Sequence, residues 1–534
     1  MNQMTPPPKI EIIPASAPFS EAQRSWLNGF FAGLLSEGAA PLSVEQSAAV
    51  MPGSFGDGDD GESPWHDQTL PIAERMKMAD GRPLRRRMMA AMAQQDCGQC
   101  GYNCNDYSEA IASKAEARLN LCVPGGKETA RMLKALHEEL EKAPAASPGA
   151  ATPAAAAAPA AISEPGRSRD NPVPAIFLSR RLLNKPGSEK ETWHFDFDLG
   201  ASGLDYVVGD SFGIFARNEL GLVDQIIAML GASHVTEVNG KTLREALTTD
   251  VSLSPAPDTL FELISFLTGG AQREKARALA QGEDPDGDAA TLDVMAALQK
   301  FSNVRPHPEA FVEALEPLQP RLYSISSSHN ATPGKLSLTV DCVRYVIGKR
   351  RRLGLASTYL AERIKPGDEV KVYVQKAHGF ALPGDPNTPI IMIGPGTGIA
   401  PFRAFLLDRR ATGAPGKNWL FFGHQRSDCD FFYADELNAM KTSGLLTRLS
   451  LAWSRDGDKK FYVQDRMREV GRELWTWLAE GANVYICGDA KRMAKDVERA
   501  LVDIVAQYGA RSTDEAVAFV GELKKKGRFQ QDVY

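Results

Sequence analysis

The sequence predicts a multidomain chain. An antiparallel β-barrel is split by an all-α insertion and followed by an α/β doubly wound domain, and a small α-helical four-cysteine domain precedes them. Three observations carry this. The run Pro389–Arg410, PIIMIGPGTGIAPFRAFLLDRR, reads as strand, glycine loop and amphipathic helix. That order brings backbone N–H groups and a helix N-terminus to one point, which suits a pyrophosphate. Beyond Pro389 the apolar strands IIMIG, WLFFGH, RLSLAWS and NVYICG alternate with helical segments, the pattern of a parallel sheet. Upstream, the strand textures AIFLSRRLL, ETWHFDFDL, LSLTVDCVRY and EVKVYVQ surround a block of helical spacing.

The elements in chain order divide the sequence as follows. Residues 1–80 are an N-terminal segment whose stretch 19–35, FSEAQRSWLNGFFAGLL, is an amphipathic helix, suited to core packing or to docking and oligomerisation; the acidic DGDDGESP after it is a loop. Residues 81–142 hold four cysteines, and 143–171 begin with an Ala/Pro tract that has too little apolar surface to offset its ordering entropy. As a coil the 23-residue tract spans about 25 Å r.m.s.. Residues 172–217 and 321–383 form the barrel, 218–320 the insertion and 384–534 the doubly wound domain. LVDQIIAMLG, PDTLFELISFLT, REKARALAQ and ATLDVMAALQKFS are the insertion's helices.

Composition excludes several classes. With 534 residues, 43% hydrophobic, and a net charge of −6, the chain reads as a soluble protein with large cores. The basic run Arg85–Arg87 is too short for a nucleic-acid surface and reads as a solvated helix face. No window approaches the ~18 apolar residues of a membrane span, and MNQMTPPPKIEIIP lacks the parts of a signal peptide. Seven cysteines, four of them clustered, point to metal ligation in a reducing cytoplasm.

Two segments after the insertion carry binding chemistry. Arg321-Leu322-Tyr323-Ser324 opens a strand after Pro320. Arginine pairs with a pyrophosphate in bidentate fashion, and a tyrosine ring suits an isoalloxazine face. Gly354-Leu355-Ala356-Ser357 precedes TYLAERI, with Ser357 as the expected helix N-cap.

Together these segments and the strings YVVGDSFGIFARN, RLYSISSS, GPGTGIAPFRAFL, LAWSRD, FYVQDRMRE and YICGDAKRMAKDVERAL are similar to the ferredoxin–NADP reductase superfamily. Within it they resemble the diflavin reductases of the assimilatory NADPH–sulfite reductase type, from about Pro172 to Tyr534. Val208 departs mildly from that pattern, standing where the family has proline. The resemblance implies FAD held by Arg321, Leu322, Tyr323 and Ser324, with Ser324 near the flavin N5, and by Thr339, Val340, Asp341, Tyr345 and Gly354, Leu355, Ala356 and Ser357. It implies NADPH on Gly396, Thr397, Ser454, Arg455, Lys460, Phe461, Tyr462, Val463, Gln464 and Asp496, with Arg455, Lys460 and Tyr462 on the 2′-phosphate. Cys487 then stands beside the nicotinamide C4, Tyr534 covers the flavin face, and Asp532 supports the ring pair and the nicotinamide cation. Cys342 and Cys429 read as buried structural residues.

The family places an FMN-binding flavodoxin domain ahead of this module, and its phosphate loop is absent here. In its place stands Cys97-x2-Cys100-x3-Cys104-x17-Cys122, which resembles a small four-cysteine [4Fe–4S] domain, with x3 where that family has x4. Thiolates serve Fe–S clusters and structural zinc alike. The resemblance implies an NADPH-dependent flavoprotein oxidoreductase that passes electrons through FAD and the cluster to a sirohaem sulfite reductase hemoprotein. The alternatives are another haem or Fe–S acceptor, such as a nitrite or nitrate reductase, or a zinc-stabilised docking module on a reductase.

Overall fold

Alternation in the first strands sets the barrel. Val173, Ala175 and Phe177 point inward from Val173–Leu182, and Phe195 and Phe197 from Thr192–Asp198, so their rings pack together. The computed structural model describes residues 63–142 and 164–534 except 69, 96–99, 101 and 378. The 19–35 helix, most of the acidic loop, the Ala/Pro tract through residue 163 and Cys97 lie outside these described residues.

The barrel sheet has six antiparallel strands in the order Arg321–Ser324, Ser211–Ile214, Glu369–Gln375, Val173–Leu182, Thr192–Asp198, Lys335–Asp341. A bridge from Ile325 to Leu338 brings its two edges together. Ser211 pairs with Ser324 and Ile214 with Arg321. The insertion therefore leaves one strand and returns on its hydrogen-bonded neighbour, so it departs from the barrel without breaking the ladder.

The insertion has its own core around Leu260, Phe261, Phe301 and Phe311. The expected helices are found at Leu220–Leu230, Asp258–Leu267, Gly270–Ala280 and Val294–Lys300. Two short ones, Leu243–Thr249 and Pro308–Glu313, were not anticipated. Both carry start signals: Thr242 caps Glu245 N at 3.2 Å, and Pro308 stands in the first turn.

The C-terminal sheet has five parallel strands in the order Arg448–Trp453, Asn418–His424, Ile390–Ile393, Asn483–Gly488, Phe529–Val533. Its first strand, Ile390–Ile393, has a neighbour on each side. Strand order reverses there, so a crevice opens beyond the carboxyl ends of the strands.

The cysteine-bearing segment folds as helices Ile72–Met78, Leu84–Ala91, Cys104–Ala112 and Gly126–Lys142 over a separate small core that includes Met88, Tyr107 and Leu133. It meets the insertion through polar contacts. Arg131 grips Asp258 with Nε at 2.8 Å and Nη2 at 3.0 Å, and Lys127 adds a bond of 3.3 Å.

Candidate active site

The last two parallel strands put Cys487 beside Asp532 in register. Asp532 Oδ2 accepts a hydrogen bond from Ser324 Oγ at 2.5 Å and one from Cys487 Sγ at 3.6 Å. One residue from the barrel and one from the doubly wound sheet thus converge on the carboxylate of a third. Burial pushes the Asp532 carboxyl up, against the two donors, and raises the fully buried Cys487 thiol well above its ordinary value. Cys487 is therefore a protonated thiol at neutral pH.

The glycine loop abuts this cluster. A Cβ on Gly398 would lie 2.1 Å from Cys487 O, so only glycine allows the loop to approach the strand end. Tyr534 is tied by its N–H to Gly488 O at 3.0 Å, and its hydroxyl meets Thr397 Oγ1 at 2.7 Å. The residue is 57% exposed, so it is held by its backbone and its hydroxyl while leaving surface open to a ligand.

A second cavity lies between barrel and insertion. Arg321, Tyr323, Asp341, Tyr345 and Gly354 to Ser357 line it together, joined by Arg351, which the sequence reading missed. Arg321 bonds only its own neighbours' carbonyls, at 3.1 and 3.3 Å, and has no carboxylate partner among the described residues. Burial draws its pKa down, so the cavity favours an anion there, as an FAD pyrophosphate requires.

One expectation is corrected here. Gly354, not Ser357, is the N-cap of the short helix Leu355–Thr358; Ser357 Oγ instead accepts the Val343 N–H at 3.1 Å, which holds the turn closed. Thr339 and Val340 are buried, Thr339 bonding Tyr433 at 2.6 Å and Val340 packing in the barrel, and Asp341 beside them lines the cavity. Leu322 pairs with Gly213 in the ladder between the two strands.

A third cavity opens at the switch point. Gly396, Ser454, Phe461, Tyr462, Val463, Gln464 and Asp496, all singled out in the sequence, line it. Arg455 and Lys460 are not among its lining residues, and Arg455 pairs with Glu189 of the barrel's first hairpin at 2.5 Å. The cations on its wall are Lys190, which no motif singles out because it sits in a hairpin of the other domain, and Arg492, which lies within the string YICGDAKRMAKDVERAL but carries no role in the sequence reading. Lys190 also donates to Asp341 at 3.2 Å, so it links the two cavities.

Cys100, Cys104 and Cys122 line one small cavity with Met92, Tyr102 and Tyr107. Burial raises the Cys100 thiol to about 11 and the Cys122 thiol in the same direction. Thiols are the donors a thiophilic metal prefers, and binding there must displace their protons. Among the described residues no group of three Cys, His, Asp or Glu is arranged as a metal site.

The barrel cradle and the crevice at the switch point define a flavoprotein oxidoreductase with separate flavin and nicotinamide domains. The family model described as "FAD binding domain" matches residues 165–359, and "Oxidoreductase NAD-binding domain" matches 392–499. The "Sulfite reductase [NADPH] flavoprotein alpha-component" of Klebsiella pneumoniae is 41% identical over 438 residues, 80% of this chain and 71% of that protein. The same component of Escherichia coli O9:H4 is 40% identical over 437 residues, 80% of this chain and 70% of that one. That of Photorhabdus laumondii is 44% identical over 372 residues, 69% of this chain and 61% of that one. The chain belongs to the family of NADPH–sulfite reductase flavoprotein alpha-components, and it spans about 61–71% of the length of these relatives. It has FAD- and NADP-binding domains, and no helix among its described residues is long and apolar enough to cross a membrane.

Proposed function

We propose that this chain is the NADPH-oxidising component of a sulfite reductase. It delivers electrons to a sirohaem hemoprotein in cytoplasmic sulfur assimilation, and its four-cysteine domain carries a [4Fe–4S] cluster on the route. The observation that carries the reading is the convergence of Ser324, Cys487 and Asp532 at the seam of the two domains, under a terminal tyrosine. Bound FAD supplies the chemistry of accepting a hydride from NADPH and giving up its electrons singly. Asp532 directs the Ser324 hydroxyl and the Cys487 thiol and places a negative charge where the nicotinamide ring becomes cationic. Arg321 holds the flavin's pyrophosphate, and Lys190 and Arg492 meet the coenzyme's phosphates. The test is NADPH-driven sulfide formation with a purified sulfite reductase hemoprotein, run beside nitrite and nitrate reductases. Failure with the first and success with another moves the acceptor assignment. Iron and zinc analysis of anaerobically purified protein separates the cluster from a zinc-stabilised docking domain. Zinc without iron sinks the cluster.

Removing Tyr534 is expected to tighten NADP⁺ binding and slow turnover, because nicotinamide then reaches the flavin face without displacing a ring. Unchanged NADP⁺ affinity in the truncated protein counts against that role, and a fall in FAD content means that the ring chiefly holds the flavin. NADPH is expected to be preferred over NADH, and Arg455→Ala to erode that preference through KM. Arg455 is 41% exposed, which puts the effect at the low end for a charge-assisted bond, about tenfold. Equal kcat/KM for both coenzymes in the wild type removes Arg455 from the 2′-phosphate site.

A further inference from the structure

The cavity at the switch point has one more wall that none of the motifs explains. Asp430, wholly buried, accepts hydrogen bonds from Asn184 Nδ2 at 2.8 Å, Ser188 Oγ at 2.5 Å and Arg426 N at 3.0 Å. Burial works against its charge, but these donors outweigh it and hold the carboxyl below its ordinary value. Two of the donors come from the barrel's first hairpin, so the carboxylate joins the domains. On its other side His424 Nδ1 lies 3.2 Å from Asp430 Oδ2. The imidazole is 9% exposed and rests on the Phe432 ring, 4.9 Å between centroids. Its far edge faces the glycine loop: a Cβ on Gly396 would sit 3.7 Å from His424 Cδ2 and 3.9 Å from Nε2.

We propose that His424 is a coenzyme-contacting residue whose Nε2 meets the phosphate chain of NADP, and that Asp430 is the positioning residue that aims it. The proposal rests on the reading that this cavity takes the coenzyme. His424 Nδ1 sits beside the Asp430 carboxylate without an aligned hydrogen bond, so that edge of the ring is held by charge and Nε2 is the atom left for the cavity. Burial holds the free imidazole below its ordinary value, with Asp430 and Asp341 opposing and Lys190 assisting. Asp489, Arg492 and Asp496 also line the cavity. An arriving phosphate adds negative charge beside a ring already backed by a carboxylate, so Nε2 takes a proton from solvent and donates it to the phosphate as a hydrogen bond. Coenzyme binding thereby takes up a proton.

The experiment is calorimetric titration of NADP⁺ into the FAD-loaded full chain, in buffers of different ionisation enthalpy, from pH 8 to pH 6. Wild type is expected to take up a substantial fraction of a proton near neutrality. Its affinity should gain on that of His424→Gln by up to about tenfold toward acid pH, the equivalent of a one-unit pKa change. The coenzyme's own 2′-phosphate titration is common to both proteins and cancels. Asp430→Asn should lose most of the proton uptake. Ser188→Ala, which removes one donor to the same carboxylate, should shift the pH profile without abolishing it, and the bound flavin spectrum reports folding of each variant. Equal proton uptake in wild type and His424→Gln overturns the proposal. Gly396→Val fills the loop, so persistence of tight NADP⁺ binding in that variant overturns the assignment of the cavity itself.

Discussion

Asp532→Ala is expected to slow reduction of the flavin by NADPH by roughly a hundredfold, the usual scale for losing an aligned electrostatic group at a reacting centre. The carboxylate is the only shared partner of Ser324 Oγ and Cys487 Sγ among the described residues, so both donors lose their direction together. FAD content should hold, because the cavity with Arg321, Tyr345 and Gly354 does not include Asp532. Asp532→Asn should fall between, keeping shape but not charge. The raised carboxyl pKa gives a sign for pH: as pH falls through it the carboxylate is neutralised, and wild type should descend toward the asparagine variant while that variant stays flat. Stopped-flow flavin absorbance reads all of this. A wild-type rate in the alanine variant ends the proposed role.

The second large effect lies in the cysteine domain. Cys100→Ser, and likewise serine at Cys97, Cys104 or Cys122, should abolish or disturb the cluster, since a poorly ionised hydroxyl is a weak ligand for iron. The domain's core around Met88, Tyr107 and Leu133 is separate from the barrel's core around Phe177, Phe195 and Phe197. The flavin module should therefore still bind FAD and reduce ferricyanide with NADPH at nearly the wild-type rate. Delivery to the hemoprotein should collapse. If Cys100→Ser supports the hemoprotein at full rate, the cluster is not on the electron route and a docking role replaces it.

Local chemistry was enough to place much of this protein. A glycine loop between an apolar strand and a helix, period-two alternation through Phe195 and Phe197, and period-3.6 spacing in the insertion each encode an element through neighbours in sequence. The two missed helices are too short for periodicity to build up. Resemblance then brought Ser324, Cys487, Asp532 and Tyr534 forward, although nothing local relates Cys487 to Asp532, 45 positions on, or either to Ser324. Tertiary structure decided what those residues do to one another. Parallel register sets Cys487 against Asp532, and barrel closure carries Ser324 to the same carboxylate. It also turned Thr339 into the domain interface, moved the helix cap from Ser357 to Gly354 and gave Arg455 a partner in Glu189. Lys190, His424 and Asp430 became visible only in three dimensions. Their roles depend on a hairpin of one domain reaching the loop of another, and such a contact leaves no period or spacing in the chain.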